Sequence, residues 1–177
     1  VRKQQYAGYK ASRHGMPEEL AYQMPEIKEI LDAMNIKHLE LPDFEGDDIL
    51  GTTAKKFASK DVEVFILSGD RDLFQLVQDN ITIRIPKTKM GKTETEIYDV
   101  KKVEEEYGLK PSDLIDLKAL MGDSSDEIPG APGVGPKTAT TLLQKFGSID
   151  GIYEALHKEE YAKDFKPKVR ESLENNK

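Results

Sequence analysis

Residues 62–67 read Val-Glu-Val-Phe-Ile-Leu and run directly into Ser68-Gly69-Asp70, a β-branched and aromatic stretch that stops on turn-forming residues. Such a run predicts a buried parallel strand opening into a loop at its carboxyl end, which is where it puts Asp70. Helical patterns lie on either side. Leu20, Met24, Ile27, Leu31 and Met34 fall three or four apart and predict an amphipathic helix over 16–35, with Pro25 placed to kink it. Asp47-Asp48 then open a run in which Ile49, Leu50, Thr53 and Phe57 share a face, so the two aspartates sit at a helix N-terminus. His38-Leu39-Glu40-Leu41 alternates as a short strand, a helix is expected over 71–78, Ile81–Ile85 alternates cleanly, and Glu96-Ile97-Tyr98 reads as a strand beyond a turn at Gly91. Strands alternating with helices indicate an α/β fold, and a mainly parallel sheet is expected. After Lys110 the β signal stops, and helices are expected around Leu114–Met121, Lys137–Lys145, Ile152–Leu156 and Pro167–Leu173. The reading is an α/β core over 1–110 followed by a helical subdomain over 111–177.

The 177 residues suffice for one hydrophobic core plus a small appendage. No apolar stretch approaches the roughly 20 residues of a membrane span. There is no cysteine, which leaves out a disulfide scaffold and thiolate metal sites, and with no basic-then-apolar leader a cytoplasmic location is expected. A net charge of −7 argues at face value against a nucleic-acid partner. The charges are segregated, however. The first thirteen residues hold Arg2, Lys3, Lys10 and Arg13 without an acid, interleaved with Tyr6 and Tyr9, as suits a single-stranded backbone with a base to stack. The competing reading is a solvated helix end with its tyrosines in the core.

The acids gather in three clusters, Glu45-Gly46-Asp47-Asp48, Asp70-Arg71-Asp72 and Asp123-Ser124-Ser125-Asp126, each at a junction between elements. Singly, each is explained by helix capping. Three clusters at element ends are another matter, because an α/β fold gathers its site there and unneutralised carboxylates raise one another's pKa. The positive partners expected are hard cations with oxygen ligands, Mg²⁺ or Mn²⁺, since His14, His38 and His157 show no ligand spacing. Two such ions about 3.5–4 Å apart serve phosphodiester hydrolysis. A calcium loop of the EF-hand kind is the competitor, and its spacing is not met.

Pro129-Gly130-Ala131-Pro132-Gly133-Val134-Gly135-Pro136-Lys137-Thr138 places a glycine turn directly before a helix. The bare N–H groups of a helix start, with Gly133 and Gly135 leaving room for a backbone, make a seat for phosphate without regard to base sequence. A plain helix–turn–helix connection is the alternative.

Taken together these motifs resemble the 5′ nuclease, or flap endonuclease, family, of the kind found at the N-terminus of bacterial DNA polymerase I, over essentially the whole chain. Arg2…Tyr9-Lys10…Arg13 is similar to the family's basic arch; Glu45-Gly-Asp47-Asp48-Ile-Leu-Gly51 and Ser68-Gly-Asp70-Arg-Asp72 resemble its central metal motifs. Met121-Gly-Asp123-Ser-Ser-Asp126-Glu-Ile-Pro-Gly130 with Gly133-Val-Gly-Pro-Lys-Thr-Ala139 resembles its helix-three-turn-helix region. The resemblance implies a PIN-like α/β core with a helix-hairpin-helix subdomain, and an enzyme that removes 5′ flaps and RNA primers in replication and repair. It implies a first ion held by Glu45, Asp47, Asp48, Asp70 and Asp72 and a second by Asp123 and Asp126. Lys10 and Arg13 would contact the scissile phosphate, Tyr9 would stack on substrate, and Arg2, Gly133, Val134, Gly135, Lys137 and Thr138 would bind DNA. A monovalent cation at the Gly133–Gly135 hairpin and a monomeric place within a larger polymerase chain belong to the same expectation. The family also begins with strands bearing further aspartates, which do not precede Val1; Val1 stands where it usually has an aromatic residue, and Gly46 where alanine is common. The chain is therefore expected to lack part of its ligand set and to bind duplex while cleaving slowly. Two other readings stand beside this one: a DNA-binding fragment with an inactive site, and a related RNA-cleaving nuclease.

Overall fold

The computed structural model describes residues 2–89 and 91–176; Val1 lies outside them. A three-stranded sheet has the order β1 (Val64–Leu67), β2 (Ile81–Lys89), β3 (Lys92–Tyr98). β1 pairs with β2 in parallel, Val64 opposite Ile81, whereas β2 and β3 are antiparallel, Ile83 opposite Tyr98. The sheet is thus mixed rather than mainly parallel. The reason is local: Gly91, at φ +76°, sits in a connection that brings Lys92 opposite Lys89, too short for anything but a hairpin.

The alternation in β2 does what it predicts. Ile81, Ile83 and Ile85 are buried, and Phe74 stacks on Tyr98 with ring centroids 4.3 Å apart. That face is covered by α3 (Gly46–Phe57), by the 3₁₀ turn Arg71–Leu76 that follows β1, and by α4 (Val100–Tyr107). β1 departs from expectation. Ile66 is buried, but Phe65 and Leu67 are 51% and 69% exposed, because no described element covers the sheet's other face. Arg84 lays its guanidinium over the Phe65 ring instead, at 3.9 Å.

Residues 38–41 form no strand; the segment has no regular secondary structure and no ladder partner, and Leu39 and Leu41 are exposed. Nothing described offers it an edge to pair with. The predicted amphipathic helix is present as α2 (Glu18–Ala33), unbroken through Pro25, yet it buries no residue. Of the basic opening only α1 (Arg2–Gln5) is helical, so Tyr9 and Arg13 do not share a helical face with Arg2.

Beyond Tyr107 the chain is helical: α5 (Leu114–Met121), α6 (Pro136–Phe146), α7 (Ile149–Leu156) and α8 (Pro167–Asn175), with a two-residue ribbon of β4 (Gly122–Asp123) and β5 (Ile128–Pro129) between α5 and α6. Leu117 and Leu120 of α5, Leu142 and Leu143 of α6, and Ile152 and Leu156 of α7 join the sheet-side residues in one continuous buried cluster. Each such side chain taken from water contributes about 1.5–3 kcal/mol. The side chain of Gln144 in α6 donates to the Gly108 carbonyl at 2.8 Å, a further tie across the junction.

Candidate metal centre

Three stretches of backbone aim the carboxylates. Glu45 precedes α3, and its N–H donates to Asp48 Oδ2 at 3.0 Å, which fixes the entry of the helix and sets Asp47 and Asp48 in its first turn. Asp70 caps the 3₁₀ turn after β1, accepting from the Asp72 N–H at 2.8 Å. Asp123, in β4, accepts from the Ser125 N–H at 2.9 Å and the Ser125 hydroxyl at 2.6 Å. Capping therefore accounts for the first two clusters, at the starts of α3 and of the 3₁₀ turn, whereas Asp123 closes the turn between β4 and β5; none of this exhausts them. All seven carboxylates, Glu45, Asp47, Asp48, Asp70, Asp72, Asp123 and Asp126, line one open cleft of about 1070 Å³.

Cations from the basic opening and from α5 stand among them. The Lys10 ammonium lies 2.6 Å from Glu45 Oε2 and 3.7 Å from Asp126 Oδ1. Arg2 pairs with Asp48 at 2.6 Å and Glu45 at 3.2 Å, and Arg13 with Asp126 at 3.0 Å. Lys118 bridges Asp72 and Asp123, 2.7 Å from each. The sequence did not single out Lys118; its only signal is that it is the one basic residue in an otherwise apolar or acidic helix, five residues before Asp123. Backbone bonds seat the opening segment as well. The Lys10 N–H donates to the Asp126 carbonyl at 3.0 Å and the Ser12 N–H to Glu127 at 2.8 Å, with Lys10 and Glu127 both in the left-handed region at φ +50° and +58°.

Tyr9 does not present the open ring expected of a stacking platform. It is 5% exposed, its hydroxyl donates to Glu45 at 2.9 Å, and the Lys10 ammonium lies 4.7 Å from its ring centre.

The electrostatics sort the carboxylates. Burial works to raise Glu45 and Asp123, but hydrogen bonds from Lys10 and Tyr9 hold Glu45 below its ordinary range, and Lys118 and Ser125 hold Asp123 well below it. Burial raises Asp47, with Asp70, Glu45 and Asp48 adding repulsion; burial also raises Asp72, against the bond from Lys118. Among the described residues no ion pair reaches Asp47 or Asp70, and no three carboxylate or imidazole groups converge into a ready ligand cluster. The donor set nevertheless fits a hard divalent ion: it is all oxygen, rich in uncompensated charge at Asp47, and already arranged so that one ammonium serves two carboxylates at once.

The glycine hairpin lies outside this cleft, a few residues beyond Ile128, which lines it. Gly133 is at φ +79°, and a methyl group on Gly133 or Gly135 would meet nothing within 4 Å, so this backbone is open to approach. Val134 is buried as the anchor of the turn, while Lys137 is exposed and Thr138 half-buried at the start of α6. No side chain caps that helix start.

Residues 1–108 match the family described as 5′-3′ exonuclease, N-terminal resolvase-like domain, and residues 109–177 match 5′-3′ exonuclease, C-terminal SAM fold. The chain is 40% identical over its whole length to DNA polymerase I of Caldicellulosiruptor bescii, covering 20% of that protein. It is 48% identical over 92% of its length to DNA polymerase I of Bacillus subtilis, covering 18%. It thus spans about a fifth of these curated relatives. In fold it is similar to the bacteriophage T5 D15 protein co-crystallised with metal ions, at a TM-score of 0.73 and 22% identity, covering 98% of this chain and 65% of that one. It is also similar to the catalytic core of Rad2 in complex with DNA substrate, at a TM-score of 0.57 and 19% identity, covering 94% of this chain and 51% of that one.

Proposed function

The chain belongs to the 5′-3′ exonuclease family, and from that premise we propose that it hydrolyses phosphodiesters at the junction of single- and double-stranded nucleic acid, 5′ flaps and RNA primers included. The observation that carries this reading is the gathering of seven carboxylates from three separated stretches into one cleft rimmed by Lys10, Arg13 and Arg2.

Glu45, Asp47, Asp48, Asp70 and Asp72 would hold one divalent ion, Mg²⁺ or Mn²⁺, and Asp123 and Asp126 a second. When bound, such ions supply an activated water and neutralise the charge that develops on the phosphate. The protein's own part is positioning and charge. Lys10 and Arg13, freed from Glu45 and Asp126, are placed to bear on the scissile phosphate. Tyr9 fixes Glu45 and leaves its pocket to stack only if the opening segment moves. Gly133, Val134 and Gly135 offer the uncapped start of α6 to a duplex phosphate, with Lys137 and Thr138 beside it and room for a monovalent cation at the turn. Recognition of this kind reads shape and charge rather than bases. The natural setting is the bacterial cytoplasm, as one monomeric part of a longer polymerase chain; among the described residues no helix is long and apolar enough to cross a membrane.

The test is to incubate the protein with a 5′-flap duplex and, separately, single-stranded RNA, in Mg²⁺ and in Mn²⁺, beside an Asp70→Asn variant. Cleavage near the junction, lost in Asp70→Asn with binding retained, is expected. Binding that weakens with salt but brings no cleavage in either metal points instead to a DNA-binding module, a reading favoured by the absence of a ready ligand cluster among the described residues. RNA cut in preference to the flap would identify a ribonuclease.

A further inference from the structure

Lys118 joins carboxylates from the two sides of the junction between the family's two modules. Its ammonium lies 2.7 Å from Oδ1 of Asp72, in the turn after β1, and 2.7 Å from Oδ2 of Asp123, in β4. The other oxygen of Asp123 is occupied by the Ser125 N–H and hydroxyl, so Oδ2 is the oxygen left for a cation. The Asp123 side chain is 12% exposed, and the Lys118 side chain is 37% exposed. The carboxylate is therefore costly to leave without a cation, whereas the lysine has a flexible stem with a route to water.

We propose that Lys118 is an exchange latch, its ammonium competing for Asp72 and for Asp123 Oδ2 with the divalent ions assigned above to those two carboxylates, so that ion entry and lysine release are one competitive event. The proposal deepens the metal-centre reading and rests on it. The latch ties the resolvase-like part to the helical part, and with divalent ions on these carboxylates Lys118 would be let go. Lys10 makes a less symmetrical bridge, 2.6 Å to Glu45 and 3.7 Å to Asp126, and does not substitute for it.

The experiment is calorimetric titration of the whole chain with Mn²⁺, for wild type, Lys118→Met and Lys55→Met. Lys55 lines the same cleft and loses the same charge on substitution, but it pairs with no described carboxylate. If the latch is closed in all but about a tenth of molecules, Lys118→Met binds Mn²⁺ about tenfold more tightly. Lys55→Met stays within about twofold of wild type, the margin left to a screened, unpaired surface charge. The melting temperature in chelator falls for Lys118→Met and is restored by saturating Mn²⁺. An affinity of Lys118→Met equal to wild type, or an equal gain in Lys55→Met, overturns the latch while leaving the metal centre standing. A wild type that takes up no Mn²⁺ overturns both. Should Lys118→Met not fold, carbon-13 lysine spectra of the wild type decide: the Lys118 ε-methylene signal shifts on saturation with Mg²⁺, and an unmoved signal overturns the proposal.

Discussion

A methyl group on Gly130 would sit 2.2 Å from the carbonyl carbon of Met121 and 2.3 Å from the amide nitrogen of Gly122, which is itself at φ +76°. Backbone meets backbone there, where the β4–β5 ribbon closes against the end of α5, and neither side has a flexible tip to give way. Gly130→Ala is expected to destabilise the protein by about 2–4 kcal/mol. Gly46→Ala, at the start of α3 with nothing within 4 Å, is expected to be neutral or stabilising by up to about 1 kcal/mol. Urea denaturation of the two variants measures both. Tyr98 supplies a second prediction at this scale. Burial, with Glu106 and Glu96 beside it, pushes its hydroxyl up to about 12. A group raised on folding stabilises fully below its unfolded value, about 10 for tyrosine, and loses that contribution as pH rises through the folded value. Ultraviolet titration should show a tyrosine phase well above 10 that is lost in Tyr98→Phe, with stability falling between about pH 10 and 12; a single phase near 10 would contradict it. At the residue scale the carboxylates were legible because each stands at an element end. Lys118 was not, since a lone lysine on a helix carries no pattern, and neither was the burial of Tyr9, which depends on a partner 36 residues away.

Elements were legible where a pattern meets its partner and misread where it does not. The alternation of β2, the start of α3 at Asp47-Asp48 and the four helices after Lys110 follow from periodicity, and the structure has them. The apolar run 62–67 was read as buried on both sides, yet β1 is covered on one, because periodicity reports the capacity to be buried and not the presence of a cover. The strand expected at 38–41 failed for the same reason at the level of hydrogen bonds. Helix α2 is the sharpest case: sixteen residues with an apolar stripe and no buried member. A helix of that length without tertiary packing is marginal in water. Hydrogen exchange followed by mass spectrometry should find the amides of Glu18–Ala33 among the fastest in the secondary structure and those of β2 and α6 among the slowest. Protection of α2 equal to α6 would mean that its stripe is covered.

For the whole molecule the expected division near residue 110 describes how the sequence is patterned, and the buried cluster runs across it without a break, from Ile81 and Phe74 to Leu142 and Leu173. With the core continuous and Gln144 tied to Gly108, chemical unfolding is expected as one transition, coincident by tyrosine fluorescence and by helix circular dichroism. Two separated transitions would show that the modules melt alone. The uncovered sheet face has a consequence of another kind. Phe65, Leu67 and Ile97 stand exposed on it beside Thr82 and Arg84, and among the described residues no strand neighbours the outer edge of β1. Copies of the chain in solution are kept apart by a net charge of −7, a colloidal repulsion that added salt screens and that vanishes near pH 5.1. Toward that pH nothing long-ranged opposes the meeting of two such faces, and turbidity should set in there before the fold itself gives way.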